Sequence, residues 1–413
     1  LEKDVLIMTQ SNYAVVFGID ISSKSSTVCI MVKAKEFDSF TITNDLVGFN
    51  TLLDQLQCYA KPVVVFEATG VYSLPLQSFL DHHDYDYVRL NPLKAKKIMD
   101  NNLRHLKTDK LDAKHLAELQ FKSPQQLSPK QDYRYHEMQN ASRFYEELTS
   151  DLVKYKNRLH RALQSTFPQI EKLTSSHSGN VYWQIVDLFP HAKFVLNSTY
   201  EQIAAQLIKI KGIGHARANT LACSLQTIAQ RTCYYDDYNS ITVELVKYCA
   251  ERLRKIEQRR KHILEYIKEI APNPKDIQLY ATIPGIADRT ALRIYAELGD
   301  LRRFNNPNQI DAFIGIDPGR SQSGEVDHHL SITKHGNAIA RKILYRTIGQ
   351  METVKSTQPC HITDYYDHKK QLSEARGYKK AAIASMHKLI RTIYALIIND
   401  QPYDYHKALR NQR

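Results

Sequence analysis

Cysteine is scarce in this 413-residue chain: Cys29, Cys58, Cys223, Cys233, Cys249 and Cys360 are scattered, with no CxxC pair among them. Thiols so spaced exclude a structural zinc site and a disulfide framework, and they point to a reducing cytosol. Long apolar runs are missing too. No stretch approaches the roughly 20 residues that a membrane span requires, so no membrane partner is expected. The first ten residues, LEKDVLIMTQ, lack the basic segment and apolar stretch of a secretory leader, and Met8 is a candidate start. Acidic residues are in deficit, with 44 Asp and Glu against 56 Lys and Arg, a formal charge of +12. Residues 331–413 alone hold 15 basic against 6 acidic side chains. Such a surplus favours an anionic partner, and nucleic acid is the expected one. The 43% hydrophobic and 24% charged composition is that of a soluble globular protein with room for two or three domains.

What is present begins with alternating strand and helix signals over the first ~120 residues. Strands are expected at 13–20 (YAVVFGID), 27–32, 36–43, 62–67 (PVVVFE) and 86–90, with helices at 46–57, after Tyr72 and at 109–120. Three strands followed by alternating helix and strand is the order of a ribonuclease-H or RuvC-like α/β fold. Four acids occupy telling places in it. Asp20 and Glu67 end apolar strands, and Asp109 and Asp112 lie three residues apart on one helix face. Bare carboxylates gathered in one site repel by about 4 kcal/mol per pair at 4 Å and an effective dielectric of 20. A divalent cation removes that cost, and hard oxygen ligands suit Mg²⁺ or Mn²⁺. His115, three residues after Asp112, is a candidate supporting ligand; His105, His328 and His329 read more simply as surface residues.

The middle of the chain carries helical stripes. Tyr145, Leu148, Leu152, Tyr155, Leu159 and Leu163 form one, and Val243, Val246, Ala250, Leu253, Ile256, Ile263, Ile267 and Ile270 another. Their other faces are charged, which suits antiparallel coiled-coil packing or a dimer interface. Two segments, 209–222 (KIKGIGHARANTLA) and 281–296 (ATIPGIADRTALRIYA), place a glycine turn between short helices. They read as helix-hairpin-helix elements whose turn amides hold a DNA phosphate, or as plain tight turns. Six of the 14 glycines crowd between Gly285 and Gly336. Residues 313–337 (FIGIDPGRSQSGEVDHHLSITKHGN) therefore read as a built loop before a basic helix at 338–347.

These motifs together resemble the DEDD transposases of Piv/MooV-like insertion sequences, which include recombinases guided by a bridge RNA. The likeness rests on GIDISSK (18–24), EATGVY (67–72), NP (91–92) and TDKLDAKHLA (108–117), then IPGI (283–286), FIGIDPGRSQSG (313–324) and ITKHGN (332–337). It implies a RuvC-like domain over 1–125, a helical coiled-coil region over 126–275, and a mostly helical transposase domain over 276–413. It implies that Asp20, Glu67, Asp109 and Asp112 bind Mg²⁺. It also implies a serine that attacks DNA and forms a covalent phosphoserine. Ser323 takes that role, with Ser321 as the alternative, because Gln322 precedes the serine and acidic and histidine residues follow it where family members often show Ser-Ser-Gly or a basic continuation. Lys209, Lys211, Arg289, Arg320, Lys334, Asn337, Arg341 and Lys342 are the expected nucleic-acid contacts. The expected partners are DNA ends and target, a guide RNA, and a second or further copies of the chain, because two strand pairs must be cut and joined. Two other readings use the same residues: a hydrolytic junction nuclease with the acids alone, and a nucleic-acid scaffold without catalysis.

Overall fold

Residues Val15–Ile21 and Val63–Glu67 are apolar at nearly every position, the pattern of strands covered on both faces. In the computed structural model they are the adjacent parallel strands β1 and β4 at the centre of a five-stranded sheet. The structure describes residues 13–92, 108–130, 132–176, 178–323, 326–372 and 377–410, with the backbone alone for 319–323 and 326–330. Strands β2 (Ser25–Val32) and β3 (Lys35–Thr43) add antiparallel on one side, and β5 (Asp86–Leu90) adds parallel on the other. The order is β3-β2-β1-β4-β5. Side chains alternate across it. Phe17, Ile19, Val64 and Phe66 pack with Leu52 and Leu56 of helix α1 (Leu46–Gln57) and Leu76 and Leu80 of α2 (Ser73–His82). Val16, Val63 and Val65 pack with Ala113 and Leu116 of α3 (Asp109–Lys122) on the opposite face.

The seating of α3 is set by Gly18. A Cβ there would stand 2.0 Å from the Ala113 carbonyl oxygen and 2.6 Å from the Ala117 nitrogen. Only glycine lets the helix backbone lie on β1, two residues before Asp20. The Gly18→Ala variant is expected to lift α3 and lower stability by about 1–3 kcal/mol, the usual cost of overpacking. Urea unfolding reads this directly; an unchanged midpoint would mean the helix rides free of the strand.

The chain divides after Lys130 into two compact units. The expected segments 126–275 and 276–413 thus fall almost wholly in one unit, and its two longest helices explain why. Helices α4 (Tyr133–Thr166) and α9 (Ile241–Ile270) run antiparallel, with Glu137 meeting Tyr266, Tyr145 meeting Arg260, and Tyr155 meeting Tyr248. One apolar cluster joins the later half of α4 and the earlier half of α9 to α5 (Asn180–Leu188), α6 (Ala192–Leu196), α7 (Tyr200–Ile208) and α8 (His215–Gln230). A second joins their other halves to α10 (Pro274–Ala281), α11 (Asp288–Leu298), α12 (Pro307–Ile314), α13 (Ala338–Val354), α14 (His361–Gln371) and α15 (Tyr378–Asn399). Each long helix buries one end in each cluster, so no boundary falls between them. Helix α15 is the one described helix long and apolar enough to cross a membrane. Its Met386, Leu389, Ile390 and Ile393 are sealed in this core, which accounts for the composition.

Burial also isolates His361. Its Nδ1 is 2.7 Å from the Tyr403 hydroxyl, and loss of solvent, with Lys388 nearby, pushes its pKa from 6.5 down to about 4. Above pH 6.5 the ring is neutral whether folded or unfolded, so it contributes no pH dependence there. As pH falls from 6.5 towards 4 the unfolded chain gains a proton that the folded chain refuses. About 3 kcal/mol of stability is expected to be lost across that window. The His361→Gln variant should show a shallower loss of denaturant midpoint between pH 6.5 and 4 than wild type, and parallel curves would remove His361 as the cause.

Candidate active site

The four acids lie toward one end of the first unit's sheet. The β1–β4 ladder ends with Ile19 opposite Phe66, so Asp20 and Glu67 are the next residues on each strand. Both fall on the same alternation as Val16, Gly18, Val63 and Val65, the face covered by α3. Helix α3 begins there, and its first turn carries Asp109 and Asp112. Thr108 caps it, its hydroxyl accepting from the Leu111 amide at 3.3 Å. The positive end of the helix dipole lies beneath the two carboxylates and offsets part of their repulsion. Lys114 ties the same helix to β3 through Glu36 at 2.9 Å. Asp20, Glu67 and Asp112 are half-buried and Asp109 is exposed. His115, on the same helix, is also half-buried.

Four carboxylates and no thiol make a donor set suited to Mg²⁺ or Mn²⁺. Among the described residues, however, no three His, Cys, Asp or Glu side chains are drawn closely enough together to hold a metal ion. The acids share a sheet end as an open row of carboxylates, and neighbouring groups engage both Asp20 and Glu67.

On the second unit, the segment expected to be a loop is a hairpin, which corrects that reading. Strands β6 (Pro318–Ser323) and β7 (Val326–Ile332) pair with Arg320 opposite His329, Ser321 opposite His328, and Ser323 opposite Val326 at the turn. The β6 sequence PGRSQS has no apolar face, so period-two alternation gave no signal. The hairpin is closed at its base by backbone bonds. The Thr333 amide donates to Asp317, Lys334 to Gly315 and Asn337 to Phe313, at 3.0, 3.0 and 2.9 Å. Glycine is needed where the two ends cross. Gly315 (φ 71) and Gly336 (φ 150) lie in the left-handed region, and a Cβ on Gly336 would stand 2.3 Å from the Phe313 carbonyl oxygen.

The expected nucleic-acid contacts separate into two groups. Lys209 and Lys211 are exposed at the turn between α7 and α8, Arg289 is exposed in the first turn of α11, and Lys334 is exposed beside the hairpin. The remaining described side chains are spent on the fold. The Asn337 carbonyl accepts from the Ile339 and Ala340 amides, capping α13, while its amide donates to Glu297 at 2.8 Å. Arg341 donates to the Ile314 carbonyl at 2.6 Å, and Lys342 pairs with Glu146. The turn at Gly285 is likewise packed, because a Cβ there would meet the Met351 backbone at 2.7 Å. The side chains of Arg320, Ser321, Ser323, His328 and His329 and all of His105 and Gly324 lie outside the described residues. Sequence reasoning missed Arg260, Arg293 and Arg346, which come from three helices to the side of Arg289. No local motif marks them.

Comparison with known proteins places these features in one context. Residues 17–168 match the family of DEDD transposases named for IS110, described as transposase, and contain all four acids. Residues 277–366 match the family described as Transposase IS116/IS110/IS902, and contain the hairpin. The transposase for insertion sequence element IS1111A of Coxiella burnetii is 33% identical over 143 residues, 34% of this chain and 37% of that protein. The y4qE protein of Sinorhizobium fredii, which bears a transposase name, is 37% identical over 54 residues, 13% of this chain and 14% of its own. These matches span well under half the length of either relative. With an α/β unit bearing the acids and a helical unit bearing the serine hairpin, the chain belongs to the IS110 family of DEDD transposases.

Proposed function

We propose that this protein cuts and rejoins DNA strands at the ends of an insertion sequence, acting in the cytosol through a RuvC-like acidic site and a serine nucleophile. The observation that supports it most directly is the placing of Asp20, Glu67, Asp109 and Asp112 on one face at one end of the sheet. These four would hold the divalent cation that DEDD transposases imply. Such a cation would supply charge to polarise the phosphate and stabilise the leaving oxygen. The chain's own residues then set the geometry. The dipole of α3 and the Thr108 cap hold Asp109 and Asp112 in place, and Gly18 fixes their height above β1.

The covalent step belongs to Ser323, with Ser321 as the alternative two residues back on β6. The serine Oγ–phosphorus bond forms as a phosphorus–oxygen bond to the neighbouring deoxyribose breaks, and the serine proton goes to the leaving oxygen. In rejoining, a strand hydroxyl displaces the serine and returns its proton. Each phosphoester broken is replaced by another, so no external energy source is required. Exposed Lys209, Lys211, Arg289 and Lys334 supply phosphate contacts. A guide RNA and a dimer or tetramer complete the proposed assembly.

The test is a denaturing gel of protein, labelled element-junction DNA, Mg²⁺ and the RNA encoded beside the element. A protease-sensitive protein–DNA adduct that disappears with EDTA is the expected result. Metal-dependent cutting without an adduct would move the protein to the hydrolytic nucleases.

A further inference from the structure

Four arginines from three helices of the second unit meet around a cleft of about 140 Å³. Arg260 comes from α9, Arg289 and Arg293 from α11, and Arg346 from α13; Tyr145 of α4 forms the floor. The side chains of Arg260 and Arg293 are only 13% and 11% exposed. Both guanidinium carbons lie over the Tyr145 ring, at 4.6 and 4.7 Å from its centre. Arg260 donates to the Tyr145 hydroxyl and to Glu257, each at 2.6 Å, and Arg293 donates to Glu146 at 2.7 Å. Arg289 makes no ion pair among the described residues, and Arg346 reaches Glu146 at 3.8 Å.

Two features of this arrangement call for an anion. Charge is the first. Arg260, Arg289, Arg293, Arg346 and Lys342 face only Glu146 and Glu257 among the lining residues and their ion-pair partners, which leaves three positive charges in excess. Glu146 remains ionised despite its burial, because Lys342 and Arg293 hold its carboxyl below the usual range. Size is the second. A cleft of about 140 Å³ has room for a tetrahedral oxyanion. A planar fork of N–H groups matches phosphate oxygens two at a time.

We propose that this cleft is a phosphate-binding site that takes one phosphodiester of a nucleic-acid strand. Its walls carry the half-hidden cations Arg260 and Arg293 and its rim is formed by exposed Arg289 and Arg346, so a backbone phosphate meets positive charge on each side. The site lies wholly within the helical unit. It rests on the reading of the protein as a nucleic-acid enzyme only for the source of the phosphate.

The test uses the whole 413-residue chain with the rim variants Arg289→Gln and Arg346→Gln, which leave the Arg260–Glu257 and Arg293–Glu146 pairs in place. Inorganic phosphate is titrated against thermal unfolding, and single-stranded DNA and RNA oligonucleotides are bound across a salt series. Wild type should be stabilised by phosphate, and each rim variant should lose much of that response. The double variant should bind oligonucleotide about tenfold more weakly, with a salt slope reduced by roughly one for the lost phosphate. Phosphate stabilisation with unchanged oligonucleotide binding would make this a free-anion site and overturn the proposal, as would no phosphate response at all. DNA and RNA arms show which strand is held. Asp20→Asn protein should bind phosphate as wild type does, so failure of the catalytic reading leaves this result separate.

Discussion

Ser323→Ala protein is expected to bind its DNA but to give no covalent adduct and no rejoined product. In the proposed reaction alanine removes the one oxygen that bonds to phosphorus, so the loss should be complete to the limit of detection. Binding is the control that carries the interpretation. Ser323 occupies the last paired position of the hairpin, opposite Val326, and the hairpin is closed by backbone bonds at its other end. Loss of a hydroxyl there removes no backbone pairing, so the variant should fold and its DNA affinity should stay within about twofold. Ser321→Ala, two residues back and opposite His328, is the matched comparison. Adduct lost only with Ser323→Ala assigns the nucleophile. Adduct lost only with Ser321→Ala moves the role along the strand, and an adduct in both would remove serine chemistry from this hairpin.

The first unit was legible because its central strands, β1 and β4, are buried on both faces. Such strands must be continuously apolar, so the runs at 13–20 and 62–67 stood out and lie close to the observed Val15–Ile21 and Val63–Glu67. The expected helix at 46–57 and strand at 86–90 coincide with the observed elements, and in the structure the Asp45 side chain accepts from the Gly48 amide at the helix start. The acids were legible for the same reason: each breaks an apolar run or opens a helix. The hairpin was not. Its pairing is carried by backbone groups, and backbone groups leave no mark in a pattern of side chains. The arginine cleft was hidden differently. Arg260, Arg293 and Arg346 are separated by tens of residues, and each sits on a helix whose charged face looks ordinarily solvated. Only the packing of α4, α9, α11 and α13 brings them together. Glu146 shows the same limit, since it reads as one more surface acid on α4 yet is paired with Arg293 and Lys342.

Asp20→Asn should separate catalytic carboxylates from structural ones, because the two roles predict opposite changes in stability. Carboxylates that exist to bind a cation repel each other without it. Removing one charge from the row of Asp20, Glu67, Asp109 and Asp112 should then leave metal-free protein as stable as wild type, or more stable. Adding Mg²⁺ should raise the melting temperature of wild type as the bound cation shifts the folding equilibrium, and the variant should respond much less. Activity should move the other way. A metal supplies several kcal/mol of charge stabilisation in the transition state, and each 1.36 kcal/mol is a factor of ten. Loss of one ligand is therefore expected to slow strand cutting by at least about a thousandfold. The amide keeps the size of the side chain, so packing against α3 is preserved and the comparison tests charge. A variant that is less stable without metal, beside a wild type indifferent to Mg²⁺, would make Asp20 a structural partner of its neighbours. The open row of acids would then be the resting form of an ordinary polar edge, and the cutting chemistry would have to be sought elsewhere on the chain.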